Sequence, residues 1–341
     1  MSALLEVENL RVRFRTMGPV RAKLAGVADP FLDAVLDVSF RLEAGTTFGL
    51  VGESGSGKST LGRAIMGLVP IHSGRIRFMG MEPKGRSDRA FAGYRRNMAM
   101  MFQDPVASLS PRLTVKSLIT EPFVIHGLRG RNLDAEARRL LDLVGLPSHF
   151  AGRYPHQLSG GQARRVGVAR ALALEPKLII ADEPTAGLDV SVQGEILNLM
   201  VRLQRELGLT YLIITHNLAI VRHICDAMAI MYMGRFVERG PTSAVFAHPA
   251  HPYTHGLLAA QPHPDPDRRR ETVELTGEVP SLARRPSGCE FHTRCPWAQD
   301  RCRAERPQPQ SIGPGRELRC HFPLVAPAAA APATDRMPFQ A

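Results

Sequence analysis

No apolar run in these 341 residues approaches the ~18 to 20 that a membrane-crossing helix needs. The N-terminal Met-Ser-Ala-Leu-Leu-Glu-Val-Glu carries acids where a secretory signal peptide has a basic start and an apolar stretch. The expectation is a protein that neither spans a membrane nor is exported. Internal repeats and heptads are missing as well. Acids are in deficit, with 32 Asp+Glu against 43 Lys+Arg and a formal net charge of +11. Such an excess suits nucleic acid, a phosphate-rich ligand or an anionic membrane surface, and equally an Arg-rich composition spread over any surface. Cysteine is scarce and unevenly placed. Cys225 stands alone, while Cys289, Cys295, Cys302 and Cys320 cluster near the C-terminus. In a chain without an export signal, that cluster reads as metal before disulfide.

What is present fits a globular protein of about two domains, 44% hydrophobic and 22% charged. Leu10 to Phe14 and Val35 to Leu42 alternate like antiparallel strands, with an inserted loop from Met17 to Asp33 between them. Thr47 to Val51, Met98 to Phe102, Leu178 to Ala181 and Tyr211 to Thr215 are apolar runs of strand length. Each ends in a polar or Gly-rich segment, where open α/β sheets place their ligands. Ser59 to Gly67, Leu133 to Val144 and Gly160 to Leu174 read as helices, so the sheet should be mostly parallel. Met231 to Gly240 reads as a hairpin turning at Gly234. Residues 325–341, rich in Pro and Ala, read as a disordered tail.

Gly52-Glu53-Ser54-Gly55-Ser56-Gly57-Lys58-Ser59-Thr60 matches the P-loop pattern G-x-x-x-x-G-K-[ST] between a strand and a helix. Glycines let consecutive N–H groups point at phosphate oxygens, and the helix adds its positive end. Lys58 is placed to reach the β- and γ-phosphates, and Ser59 to bind magnesium. Five further pieces follow in order. They are Gln103 after a strand; Leu158-Ser159-Gly160-Gly161-Gln162 opening a helix; Asp182-Glu183 ending an apolar strand; Asp189 after a short turn; and His216 ending another strand. Taken singly, each has a plain structural explanation as a cap, a helix start or a core residue.

In this order and spacing they resemble the ATP-binding subunit of an ABC transporter. The resemblance implies an α/β, ABC-type P-loop ATPase with a RecA-like core sheet, an antiparallel β subdomain and a helical signature subdomain. It makes the first loop the Walker A motif, Asp182 a magnesium ligand through water, and Glu183 the residue that polarises the attacking water. His216 would contact the γ-phosphate, and Gln103 would sense metal and water and link to the membrane subunits. Ser159, Gly160, Gly161 and Gln162 would bind the ATP held by an opposite subunit, and Asp189 would belong to the loop crossing that interface. Phe14 stands where the family stacks an aromatic on adenine. Asn217 replaces the usual Asp after the histidine, and Ala186 the usual Ser; neither removes a catalytic group.

The C-terminal third resembles the oligopeptide and dipeptide branch, through His251-Pro252-Tyr253-Thr254, Pro286-Ser287-Gly288-Cys289 and Thr293-Arg294-Cys295-Pro296. This implies an importer in which the chain pairs with a second homologous ATPase as a heterodimer. Two transmembrane permeases and an extracytoplasmic peptide-binding protein complete it. The chain would sit peripherally on the cytoplasmic face of the inner membrane. The cysteine spacing, Cys-x5-Cys-x6-Cys-x17-Cys, is looser than the usual opening of a zinc site. Branch members with this pattern carry a 4Fe-4S cluster; zinc and unligated thiols remain alternatives. The expected domains are 1–257 for ATP binding, with a helical subdomain at about 104–170, and 258–324 for the small cysteine-rich extension. A soluble ABC-type ATPase acting on nucleic acid or ribosomes is the competing reading, motivated by the basic charge. It usually needs two cassettes or a coiled-coil insertion, so no nucleic-acid partner is expected.

Overall fold

The computed structural model describes residues 3–26, 29–83, 88–104, 108–128, 130–261, 275 and 277–324. The expected tail at 325–341 lies outside the described residues. The chain divides into two compact units, Met1–Arg235 and Phe236–Ala341. That division falls earlier than the 257/258 boundary read from the sequence.

The first unit runs β1 (Leu5–Arg15), α1 (Pro19–Leu24), β2 (Phe31–Leu42), β3 (Thr47–Val51), α2 (Lys58–Ile65), β4 (Ser73–Phe78), α3 (Asp88–Asn97) and β5 (Met98–Met101). It continues with α4 (Val115–Ile125), α5 (Leu133–Leu143), α6 (Gly160–Leu172), β6 (Leu178–Asp182), α7 (Val190–Leu207), β7 (Thr210–Thr215), α8 (Leu218–Ile224) and β8 (Ala227–Tyr232). Strands β2, β1 and β4 form an antiparallel sheet in that order. Strands β8, β3, β7, β6 and β5 form a parallel one. Every residue of β3, β6 and β7 is buried, which is why these strands read as unbroken apolar runs. Because the strands are parallel, the segments after β3, β5, β6 and β7 emerge at one edge, where such sheets bind ligands. The stretch expected as a plain loop holds α1, started by a proline in its first turn, where a missing N–H costs nothing. Among the described residues, no helix is long and apolar enough to cross a membrane.

The second unit takes in β9 (Arg235–Pro241) from Phe236 onward, followed by α9 (Thr242–Ala247), α10 (Pro252–Ala259), α11 (Asp300–Ala304), β10 (Gln310–Gly313) and β11 (Arg316–Leu318). Strand β11 pairs antiparallel with β9 and with β10. Glu238 on β9 is fully buried; its carboxylate accepts the N–H groups of Ala250 and His251 and pairs with Arg316 at 2.7 Å. A small apolar cluster of Ala250, Ile312 and Leu318 packs against Cys320. Val245, Tyr253 and Phe291 are buried in this unit as well.

Candidate active site

The phosphate loop is shaped by its own packing before any ligand is considered. A Cβ on Gly52 would sit 2.2 Å from the Met231 carbonyl oxygen. One on Gly57, whose φ is +103°, would sit 2.2 Å from the Ala34 carbonyl oxygen. Neither position admits another residue. Gly234, at the turn after β8, donates its N–H to the Ser56 carbonyl at 2.8 Å and accepts from Leu36 N–H at 2.8 Å, bracing the loop. Ser54 is exposed and Gly55 has a positive φ, so the outer part of the loop stays open to solvent. Lys58 is buried and curls back over the loop. Its ammonium donates to the carbonyls of Gly52 (2.6 Å) and Glu53 (2.8 Å) and to Ser56 Oγ (3.3 Å). Burial lowers its pKa, opposed by the carboxylates of Glu183, Asp182 and Glu53. Ser59 Oγ, one residue before Thr60 on α2, donates to Asp182 Oδ1 at 3.1 Å. Burial raises the Asp182 pKa, and the Ser59 bond works against that.

Glu183 leaves β6 with φ +50°, an unusual conformation for a residue with a Cβ. Its N–H continues the strand pairing onto the Ile214 carbonyl at 2.8 Å, which holds the turn in place. The carboxylate accepts from His216 N–H at 3.1 Å and from Thr215 Oγ at 3.1 Å, and His216 Nδ1 lies 2.7 Å from its Oε1. Glu183 is mostly covered and His216 is 70% exposed, so the pair reaches from the sheet edge into solvent. The structure therefore gathers Lys58, Ser59, Asp182, Glu183 and His216 at one edge. Gln103 is exposed just past the end of the neighbouring β5.

The signature residues form a second cluster. Ser159 caps α6: its Oγ accepts Gln162 N–H, while Gln162 Oε1 accepts Ser159 N–H at 3.0 Å. Asp189 caps α7, accepting from Val192 N–H and Ser191 Oγ at 2.9 Å each, and these bonds hold its carboxyl below the usual range. The two helix starts pack on one another. A Cβ on Gly161 would lie 2.8 Å from Val192 Cγ1, and one on Gly160 would lie 3.3 Å from Leu188 Cδ2. The glycines thus have a packing reason that the sequence did not reveal. Asn217 caps α8 by accepting Ala219 N–H at 2.9 Å, a task Asn performs as well as Asp. Phe14 shares a face of β1 with the buried Leu10 and Val12 yet is 38% exposed. Phe31, paired to Arg15 on β2, lies under the guanidinium groups of Arg13 and Arg15 on the other face.

One residue escaped the sequence reading altogether. Arg164, two positions after Gln162, is fully buried and hydrogen-bonds the carbonyls of Gln103 and Ala186. It also lines a cavity of about 200 Å³ with Met101, Phe102, Leu109, Gly167 and Arg170, beside the Gln103 segment. A larger cavity, of about 440 Å³, lies between the end of α2, β4 and Phe91, and none of the candidate residues lines it.

Cys289, Cys295, Cys302 and Cys320 are free thiols that line one small cavity, together with His251, His292, Phe291 and Trp297. Burial pushes the Cys289 thiol up to about 12 and that of Cys320 to about 11, and raises Cys295. Among the described residues, no group of three or more His, Cys, Asp or Glu side chains is arranged to hold a metal ion. Cys225 ends α8, buried against Gly49, a packing position. His251 caps α10 through Nδ1, which accepts Tyr253 N–H at 3.0 Å, and His255 meets Trp297 edge-on.

Residues 35–186 match the ABC transporter family, and residues 237–302 match the oligopeptide/dipeptide transporter C-terminal region. The second match begins one residue inside the second compact unit. A probable peptide ABC transporter ATP-binding protein of Sinorhizobium fredii is 50% identical over 96% of this chain and 92% of its own. A putative oligopeptide transport ATP-binding protein of Bacillus subtilis is 46% identical over 94% of this chain and 95% of its own. Among solved structures, the dimeric post-hydrolysis state of the ATP-binding cassette MJ0796 bound to ADP and Pi superposes with a TM-score of 0.61. It is 27% identical and covers 70% of this chain and 98% of that one. On a P-loop braced between β2 and β8, a carboxylate pair ending β6 and these likenesses together, the chain belongs to the family of ABC transporter ATP-binding proteins.

Proposed function

We propose that this protein is the ATP-hydrolysing subunit of an importer for peptides, dipeptides or oligopeptides. The observation that carries the chemistry is the Glu183–His216 pair, held at 2.7 Å at the sheet edge beside Lys58 and the Ser59–Asp182 contact. The peptide substrate rests on the relatives in Sinorhizobium fredii and Bacillus subtilis and on the C-terminal match.

In this reading Lys58 exchanges its loop carbonyls for the β- and γ-phosphates, and Phe14 stacks on adenine. Ser59 and Asp182 fit a magnesium ion, a hydroxyl and a buried carboxylate 3.1 Å apart being the hard oxygen donors that ion takes, and Gln103, just past the neighbouring β5, would add its amide oxygen. Bound there, magnesium neutralises charge on the transferring phosphoryl group. Glu183 holds and polarises the attacking water, and His216 positions the γ-phosphate. Phosphoryl transfer needs placement and electrostatics more than covalent work, and these residues supply both. The Ser159–Gln162 helix start and Asp189 serve a second, homologous subunit, so two half-sites must meet. The cavity beside Gln103 suits a cytoplasmic segment of the permeases, which would hold the chain on the inner face of the membrane. An extracytoplasmic binding protein would deliver the solute.

The four cysteines are read as ligands of a structural 4Fe-4S cluster, with zinc as the alternative. Four thiols around one cavity are the soft donor set that either takes. Zinc would sit ~2.3 Å from each sulfur; among the described residues no metal-holding arrangement is preformed, so either group would have to draw the thiols together as it binds.

Glu183→Gln is expected to keep the ATP Kd within about twofold while lowering turnover at least ~100-fold in the assembled transporter, the scale of losing a positioned base. An unchanged ATPase rate would end the assignment.

A further inference from the structure

We propose that Arg164 is a positioning residue for hydrolysis, tying the end of β5 at Gln103 to the turn that aims Glu183. The inference rests on the reading of Glu183 given above. Arg164 is 1% exposed and lies on α6, two residues after the last signature residue. Its two terminal nitrogens serve different segments: one donates to the Ala186 carbonyl at 2.8 Å and the other to the Gln103 carbonyl at 3.4 Å. Ala186 in turn donates its N–H to the Glu183 carbonyl at 3.1 Å, so the turn that Arg164 grips closes on Glu183 itself. That turn needs holding, because Glu183 sits at φ +50°.

Stability alone does not account for an arginine here. Its acceptors are neutral carbonyls, its Nε–H finds no acceptor among the described residues, and burial works against its charge while Asp104 supports it. An apolar side chain of similar volume would fill such a site at lower cost. What an apolar chain cannot do is hold two backbone carbonyls from different loops in register. The guanidinium fork does so with two directed donors.

The two bonds are unequal, and this gives the link a direction. The short bond keeps Arg164 with the Glu183 turn, while the long bond to Gln103 is the one that a shift of the Gln103 segment would break first. Arg164 also lines the cavity beside that segment, together with Gly167 and Arg170. Arg170 grips the same segment further along, donating to the Ser108 carbonyl at 3.1 Å. A group seated in the cavity therefore meets the residue that sets the hydrolytic turn.

The test compares full-length wild type, Arg164→Met, Arg164→Lys and Glu183→Gln within the assembled transporter. Nucleotide Kd, ATPase kcat and KM are measured alongside amide hydrogen exchange. Arg164→Met should keep Kd and KM within about twofold and lower kcat about tenfold or more, equivalent to about 1.4 kcal/mol of barrier. Exchange should quicken at 183–189 and stay unchanged in β3 and α2. Arg164→Lys keeps the charge but reaches only one carbonyl, so it should recover part of kcat. If Arg164→Met fails to fold, the lysine variant decides alone, by lower kcat at unchanged KM with faster exchange at 183–189. Wild-type kcat in either variant, or exchange that quickens evenly through the first unit, would overturn the proposal. Full activity in Glu183→Gln would instead overturn the reading of Glu183 on which it rests.

Discussion

Gly161→Ala tests whether the signature glycines are there for packing, for nucleotide, or for both. Gly161 lies in the first turn of α6, and its φ is not positive, so the backbone itself accepts alanine. The added Cβ would meet Val192 Cγ1 at 2.8 Å, well inside the ~3.5 to 4.0 Å of an ordinary carbon contact. Valine is stiff at χ1 and cannot turn away cheaply. Overpacking of this kind costs ~1 to 3 kcal/mol. Gains from helix propensity and a less flexible unfolded chain return up to about 1 kcal/mol. The net expectation is a loss of about 1 to 2 kcal/mol. Val192→Ala removes the obstructing methyl and, at a half-buried site, should cost about 1 kcal/mol by itself. The double variant should then be no less stable than Val192→Ala alone, giving a coupling of about 1 to 2 kcal/mol. Thermal melting followed in the first unit reads this as roughly 2 to 4 °C per kcal/mol. Losses that add to within ~0.3 to 0.5 kcal/mol would refute the packing account. ATPase turnover separates the second question. If the glycine also admits a partner subunit's nucleotide, stability returns in the double variant while turnover stays low.

Phe14→Ala should weaken ATP binding about fivefold, the equivalent of ~1 kcal/mol of lost stacking, whereas Phe31→Ala on the opposite face should leave it unchanged. Titration with a fluorescent ATP analogue distinguishes them, and the reverse pattern would move the adenine site to the other face of the sheet. Cys295→Ser should loosen residues ~285 to 323 in hydrogen exchange while nucleotide affinity stays within about twofold, because thiolate–metal bonds add to the folding energy of the second unit alone. Anaerobic purification of the wild type should give brown protein with about four irons per chain. Colourless protein with one zinc would replace the cluster, and full stability without metal would defeat both readings.

Sequence alone determined the parts whose chemistry is local. The unbroken apolar runs of β3, β6 and β7 read as buried parallel strands because each is covered on both faces. Gly52 to Thr60 read as a phosphate loop because glycine spacing fixes backbone geometry within a few residues. Asp182, Glu183 and His216 could be expected near one another from their places at strand ends, since a parallel sheet brings those ends to one edge, but their proposed roles came from the resemblance to the ABC family. Only the tertiary structure decided what depends on distant partners. The Glu183–His216 contact spans two strands, and Glu183 takes its positive φ from a turn locked onto the Ile214 carbonyl. Gly161 is small because Val192, from another helix, leaves no space for a side chain. Phe14, rather than Phe31, shares a face of the sheet with Leu10 and Val12 because the register of β1 on β2 sets which side chains lie together. Arg164 carried no motif to mark it. Its meaning lies in two backbone carbonyls, from Gln103 and Ala186, and any sequence supplies carbonyls at every position; folding alone chooses which two an arginine meets.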